Sequence, residues 1–265
     1  MPAAWTGHRL LVVVAHPDDE TFGCGSLIAD ATDAGVHVVV CCATRGEAGE
    51  GPSAEDLGGG TLGDLREAEL REAAALLGVA EVVVLDFVDS GMQGDAEPHT
   101  LVGAPLDSVV DAVAEVVGRV DPDIVVTLDA TGGDGHRDHA RIGEATRQAV
   151  SRIGGGATLY YWTVARSLLR RWLEALRQDR PDAEHLDLDE AGLGRPDEEI
   201  TTLIDLSQHL DRRRAAMAIH RSQRPPYDDM TADLADTFLR HDRLVRIEPP
   251  WSGGPMETAL LSRRR

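Results

Sequence analysis

The apolar positions of this chain fall into short blocks set at regular intervals. Leu10-Leu11-Val12-Val13-Val14 is continuous, β-branched and uncharged, the pattern of a strand buried on both faces of a parallel sheet. That strand is expected from about Arg9 to Ala15, and similar blocks recur at Val36–Cys42, Val82–Phe87, Ile124–Leu128 and Thr158–Trp162. Between them, apolar residues three and four apart predict helices over Gly25–Ala34, Leu65–Leu77 and Leu106–Val120. A further helix is expected from a turn at His136–His139 to about Ile153, ending in three glycines. Gly35 and Gly78 stand where helices commonly end on a left-handed residue. Strand and helix alternate through residue 165. The fold class is therefore α/β, a Rossmann-like, mostly parallel sheet with helices on both faces.

Beyond residue 165 the rhythm changes. Leu168–Gln178 reads as helix, residues 179–199 as an acidic loop with Pro and Gly, and Ile200–Leu206 as a strand. Ser207 is a candidate cap for a helix through about His220. Asp229–Leu239 reads as a helix and Leu244–Ile247 as a short strand. There is no internal repeat, low-complexity tract or linker. Residues 1–265 are thus expected to form one domain, with an α/β core over 1–165. Residues 166–265 are expected to pack on that core and wall its pocket. Two long loops, 44–61 and 88–103, are expected to border the site, because long loops in compact domains tend to carry function.

Polar residues cluster at two strand ends. Ala15-His16-Pro17-Asp18-Asp19-Glu20 follows the first strand, and Pro17 forbids smooth continuation of the sheet. One imidazole and two adjacent carboxylates can supply two metal ligands and a spare base. A helix N-terminus rich in acids accounts for the same residues, and both readings stay open from this stretch alone. Gly132-Gly133-Asp134-Gly135-His136-Arg137-Asp138-His139 follows the fourth strand and tilts the balance. Its histidines, three apart, share one side of a helical turn. Two histidines, one carboxylate and a water make a catalytic zinc set with an open position.

Composition removes several alternatives. The formal net charge is −20, from 46 acids and 26 bases, which argues against nucleic-acid or anionic-membrane partners. Every base is arginine and lysine is absent, so a Schiff-base lysine and a Walker-A loop are excluded. Hydrophobic residues make up 42% of the chain, enough for a real core. Three cysteines, Cys24, Cys41 and Cys42, give an odd count without a C-x-x-C pair. That is the usage of a reducing compartment. The N-terminal apolar run is too short to span a bilayer, and a cytoplasmic location is expected.

The two motifs, His-Pro-Asp-Asp-Glu and Gly-His-x-Asp-His, resemble those of the LmbE-like (PIG-L) zinc-dependent N-deacetylases. Further matches are Thr44-Arg45-Gly46-Glu47, Arg66 with Glu69, Asp89-Ser90-Gly91-Met92, and Arg214-Ala215-Ala216-Met217 leading to His220-Arg221-Ser222-Gln223. The resemblance covers about residues 8–224. It is nearest to the mycothiol-pathway deacetylases and amidases, and implies a small amino-sugar substrate and Zn2+. It implies His16, Asp19 and His139 as zinc ligands and Asp18 as general base, with Arg66 and Asp89 binding sugar hydroxyls. Zinc and a protonated His136 would stabilise the oxyanion, and His136 or Asp18 would protonate the leaving amine. Asp138, between the two histidines, is a candidate to orient one of them, or simply an acid of the first helical turn. Mycothiol-type relatives carry a tyrosine where this chain has Asp134, which leaves the substrate class open. The remaining histidines read as surface or structural. Relatives are often oligomeric, so a homo-oligomer is an option without an interface signature. The expected function is removal of an N-acetyl group from an N-acetylglucosamine-type conjugate. An amidase for a larger acyl group and, more remotely, a metal-dependent phosphoesterase are the alternatives. Gly23-x-Gly25 faintly suggests a dinucleotide fold, but the glycine turn is replaced by His16-Pro17 and the third glycine by Ile28.

Overall fold

The computed structural model describes residues 5–52, 57–131, 133–179, 186, 193–228 and 230–260. The predicted core strands form as β1 (Arg9–Val14), β2 (His37–Cys42), β3 (Glu81–Val84), β4 (Ile124–Leu128) and β5 (Thr158–Trp162). Two more, β6 (Thr202–Asp205) and β7 (His241–Glu248), come from the C-terminal third. The sheet order is β3-β2-β1-β4-β5-β7-β6. The first five strands are parallel, while β7 runs antiparallel to both β5 and β6. The C-terminal third therefore continues the sheet as well as packing on it.

Each core strand is apolar on both sides, and its odd and even residues serve different layers. Leu11, Val13, Val39, Cys41 and Val125 face α4 (Leu106–Val120) and α5 (Arg137–Ile153). Leu10, Val12, Val38, Val40 and Val126 face α2 (Gly25–Asp33) and α3 (Leu62–Leu77). Burial on both faces is why these strands read as unbroken apolar runs. The three cysteines lie in this interior as free thiols; burial pushes Cys41 up to about 12.

Several boundaries differ from the sequence reading. A short helix, α1 (Asp19–Phe22), starts in the first motif with Asp19 and Glu20 in its first turn, as the helix N-terminus reading has it. Helix α3 starts at Leu62, because Thr61 and Asp64 form a reciprocal capping box. Strand β3 stops at Val84, where its partner β2 ends at Cys42. Helix α6 spans Arg166–Asp179. Most of the loop expected over 179–199 lies outside the described residues. Ser207 opens a 3-10 turn instead of capping the next helix, α7 (Leu210–Met217), which ends before His220. Helix α8 covers Ala232–Leu239, capped by Thr231; Asp229, the expected start, lies outside the described residues.

Candidate metal centre

The chain leaves β1 toward β2 and leaves β4 toward β5, on opposite sides. The crevice between the carboxyl ends of β1 and β4 is thus the topological switch point, where open α/β sheets bind ligands. Both polar motifs arrive there.

The first motif is pinned tightly. Asp18 adopts φ 125°, a strained conformation for a non-glycine residue of the kind that clusters at active sites. It is held by its own N–H, which donates to Glu20 Oε2 at 3.0 Å. Its carbonyl accepts from Thr21 and Phe22 at 3.0 and 2.7 Å. Asp19 Oδ2 accepts from the backbone N–H groups of His16 and Ala15 at 2.8 and 3.2 Å.

The second motif opens α5. His136 is the N-cap, its Nδ1 accepting from the Asp138 N–H at 3.2 Å. Gly143 lets α5 approach the end of β4, since a Cβ there would stand 2.3 Å from the Leu128 carbonyl. Arg195 and Thr163 donate to buried Asp129, just after β4, at 2.7–2.9 Å and brace the start of this loop. His139, on the first turn of α5, projects back toward the first motif.

There three side chains converge. His139 Nε2 lies 3.3 Å from His16 Nδ1 and 3.2 Å from Asp19 Oδ1, and His16 Nδ1 lies 3.5 Å from Asp19 Oδ2. Tetrahedral zinc with bonds of ~2.0–2.1 Å requires neighbouring ligands roughly 3.3 Å apart, so the donor set and its spacing fit that ion. Two overlapping groups also bring their donor atoms within 4.8 Å: His16, His136 and His139, and His16, Asp89 and Asp138.

Asp138 corrects one expectation. It orients neither neighbouring histidine through its carboxylate; it reaches across to His16 Nε2 at 3.2 Å and accepts from the Ser90 N–H at 2.9 Å. With Nε2 so engaged, His16 presents Nδ1 to the cluster, the usual logic of an orienting carboxylate behind a ligand histidine. The equivalent partner of His139 is Asp134, whose Oδ2 lies 2.5 Å from Nδ1. The sequence reading singled out Asp134 as a departure but gave it no role. A carboxylate five residues before a candidate ligand was the available signal.

Electrostatics correct a second expectation. Burial, together with the charges of His139 and His16, pushes His136 down to about 4. It is therefore neutral near pH 7, not protonated. Because Nδ1 accepts a hydrogen bond, the ring proton belongs on Nε2. Burial works against a charged His139, but Asp134 and Asp19 outweigh it and raise the ring to about 10. His16 is likewise raised, burial being overcome by Asp138, Asp19 and Asp89. Protons thus sit between acids and imidazoles where a cation would displace them. Burial raises Asp18 to about 7 against the pull of the Arg66 guanidinium.

Arg66 and Asp89 are both buried. Arg66 donates to Gly46 O at 2.7 Å, to Pro17 O at 2.9 Å and to Asp18 Oδ2 at 3.1 Å. Gly46 makes room, since a Cβ there would stand 2.3 Å from the guanidinium. The visible work of Arg66 is to hold Asp18. Asp89 Oδ1 faces His16 Nε2 at 3.4 Å and accepts from the Gly91 N–H at 2.8 Å. Glu47 accepts from the Asp89 N–H at 3.1 Å. Fully buried His220 pairs with Glu20 at 3.0 Å behind the first motif.

Beside the cluster opens a cavity of about 240 Å³. Asp19, Asp134, His136 and His139 form its floor, while Phe22, Trp162, Trp172, Tyr227 and Phe238 supply aromatic wall. The chain has only three Phe, three Tyr and four Trp, so half of its aromatic residues meet here.

Comparison with known proteins agrees with this geometry. The family profile "PIG-L: GlcNAc-PI de-N-acetylase" matches residues 11–150, which include both motifs. The chain belongs to this family. A relative at 38% identity is the 1D-myo-inositol 2-acetamido-2-deoxy-alpha-D-glucopyranoside deacetylase of Saccharomonospora viridis; the match spans 81% of this chain and 84% of the relative. The N,N'-diacetylchitobiose deacetylase of Pyrococcus horikoshii superposes with a TM-score of 0.60 at 21% identity, over 90% of this chain and 83% of that one. A 4-carboxy-2-hydroxymuconate hydratase from Pseudomonas putida superposes with a TM-score of 0.63 at 20% identity, over 94% and 99%. Likeness at that level establishes the PIG-L fold alone; the reaction has to be read from the site. Among the described residues no helix is long and apolar enough to cross a membrane.

Proposed function

We propose that this chain is a zinc-dependent hydrolase that removes the N-acetyl group from an N-acetylglucosamine-type sugar conjugate. The observation that carries the reading is the convergence of His16, Asp19 and His139 at 3.2–3.5 Å beside the strained Asp18. The family membership and the deacetylase relative favour the same reaction. His16 Nδ1, Asp19 and His139 Nε2 would hold the ion. When bound, zinc supplies Lewis acidity at a carbonyl and lowers the pKa of a water.

The chain's own residues do the rest. Asp18 takes a proton from the attacking water, and a carboxyl lifted to about 7 is well matched to that task near neutrality. Arg66 fixes its orientation from behind. His136, neutral, donates its Nε2 hydrogen to the oxygen that gains negative charge, a role that needs no imidazolium. The proton held by Asp18 then passes to the leaving amine. Asp138 and Asp134 lock the two ligand histidines in register, and Arg66 and Asp89 bound the side assigned to the sugar.

The test is free-amine release from N-acetylglucosaminides by zinc-loaded protein, run beside Asp18→Asn. The variant should keep its zinc and its fold and lose on the order of 10²–10⁴ in turnover, the usual worth of a general base. Full activity in Asp18→Asn would sink the mechanism. Phosphate release from sugar phosphates, without amine release, would sink the reaction class.

A further inference from the structure

Building on the deacetylase reading, we propose that the sugar of the substrate carries an apolar aglycone, an alkyl or aryl group seated in the aromatic cavity. The cavity shares Asp19, His136 and His139 with the reacting centre, so a substrate bound there must fill it or border it. An acetyl group is far too small to fill about 240 Å³, when a dry apolar cavity of ~150 Å³ already takes a benzene ring. Among the described lining residues, the carboxylates and imidazoles are those of the floor. The rest of the lining is aromatic and aliphatic, including Val164, Leu169, Leu193, Pro226, Met230 and Phe238. The Tyr227 hydroxyl is turned into the protein, donating to the Phe22 carbonyl at 2.6 Å. Among the described lining residues most of the surface is apolar, so a polyol such as inositol, or a second sugar, would leave most of its hydroxyls without a partner there, at a cost for each one.

The topology separates the two sides of the substrate. Asp89 and Arg66 belong to the β2–β3 side of the crevice, and Trp162, Val164 and Leu169 to the β5–α6 side. With the sugar ring against the former and the amide at the cluster, the group linked to the sugar extends along the latter.

The experiment compares kcat/KM of the zinc-loaded protein for four matched compounds: the octyl, phenyl and myo-inositol glycosides of N-acetylglucosamine, and methyl N-octanoylglucosaminide. Each buried methylene is worth about fourfold, so burying about three to four carbons of the chain should put the octyl glycoside on the order of 100-fold above the inositol glycoside. Phe238→Ser, and separately Met230→Ser, should shrink that ratio about tenfold. Equal rates, or a preference for inositol, would overturn the inference and leave the deacetylase reading intact. A preference for the N-octanoyl compound would overturn it by moving the apolar group to the acyl side. If no compound releases amine although zinc is bound, the functional reading fails. The inference is then decided by titrating octyl glucoside against the fluorescence of Trp162 and Trp172. Saturable quenching weakened in Phe238→Ser supports it, and no quenching refutes it.

Discussion

On the floor of the site His16, Asp19 and His139 approach one another to 3.2–3.5 Å, and each is fixed a second time from outside the trio. Asp138 holds His16, Asp134 holds His139, and two backbone N–H groups hold Asp19. The wall beside it is made differently. Its aromatic rings come from α1, β5, α6, α8 and the segment before α8, and their shared property is apolar surface. Drift of an ångström on the floor destroys a ligand set, whereas the wall can change volume one side chain at a time. On the proposed reading, chemistry and selectivity are separable, and the contacts that join floor and wall can be tested one at a time.

Breaking the strongest of those contacts should have the largest effect on stability. Arg213, on α7, is 1% exposed. It donates to the carbonyls of Thr21, Phe22 and Gly23 and pairs with buried Asp242 at 3.2 Å. It ties the first motif to β7. Arg213→Met removes these bonds and strands the Asp242 carboxyl, which burial already raises. A loss of ~3–5 kcal/mol is expected, as for other broken buried pairs, measured by denaturant titration of the zinc-loaded protein. The double variant Arg213→Met/Asp242→Leu should recover part of it. A single-variant loss below ~1 kcal/mol would mean that floor and wall are not coupled through this residue.

A smaller effect should separate the trio from its supports. Asp134→Asn keeps the shape of the side chain and removes the charge beside His139 Nδ1. Zinc affinity, read by competition with a chromophoric chelator, should fall ~10–100-fold, the usual worth of an orienting partner. The metal-free protein should lose stability as well, because Asp134 is the leading charge that raises the His139 pKa in the folded state. Unchanged affinity would show that Asp134 merely caps the loop, where its Oδ1 also accepts from the His136 N–H at 3.0 Å.

The floor was legible in the sequence because its residues sit within a few positions of strand ends, and strands buried on both faces announce themselves. Position along the chain then decided position in space: a histidine after β1 and another after β4 had to face the same crevice. The role of Asp134 was not legible, because its reach to His139 depends on the left-handed turn at Gly135, φ 89°. Asp138 is the first-turn acid that one reading allowed, but its pairing with His16 was not legible for a related reason. Sequence proximity suggested His136 or His139, but the first turn of α5 aims its carboxylate across the crevice. Arg66 read as a sugar contact or as the partner of Glu69 on a surface helix, and only packing shows it buried and donating to Gly46, Pro17 and Asp18 while its Nε is left without a partner among the described residues. The wall was invisible, because its aromatic residues are scattered from Phe22 to Phe238 and no local pattern joins them. The start of α1 was legible from its acids, but not its length, because four residues are too few to show a period.

The finest test concerns His220, the second place where the C-terminal third grips the first motif. Its Nε2 lies 3.0 Å from Glu20 Oε1 and 3.4 Å from Thr21 Oγ1, with the Phe22 ring packed edge-on. Burial works against the charged ring, but Glu20, Asp18 and Glu69 face it and raise its pKa above the ordinary value. A raised histidine binds its proton more tightly in the folded state than in the unfolded one. Its stabilisation is complete below the unfolded value of ~6.5 and is lost as pH rises through the folded value. The melting temperature of the protein should therefore fall as pH climbs from about 6.5 into the alkaline range. In His220→Gln, which keeps a donor toward Glu20 without a titrating group, that slope should flatten. The variant should also be less stable below pH 6.5 and converge on the parent at high pH. Parallel curves would show that His220 contributes packing only, and that the protonic link between the two parts of the site lies elsewhere.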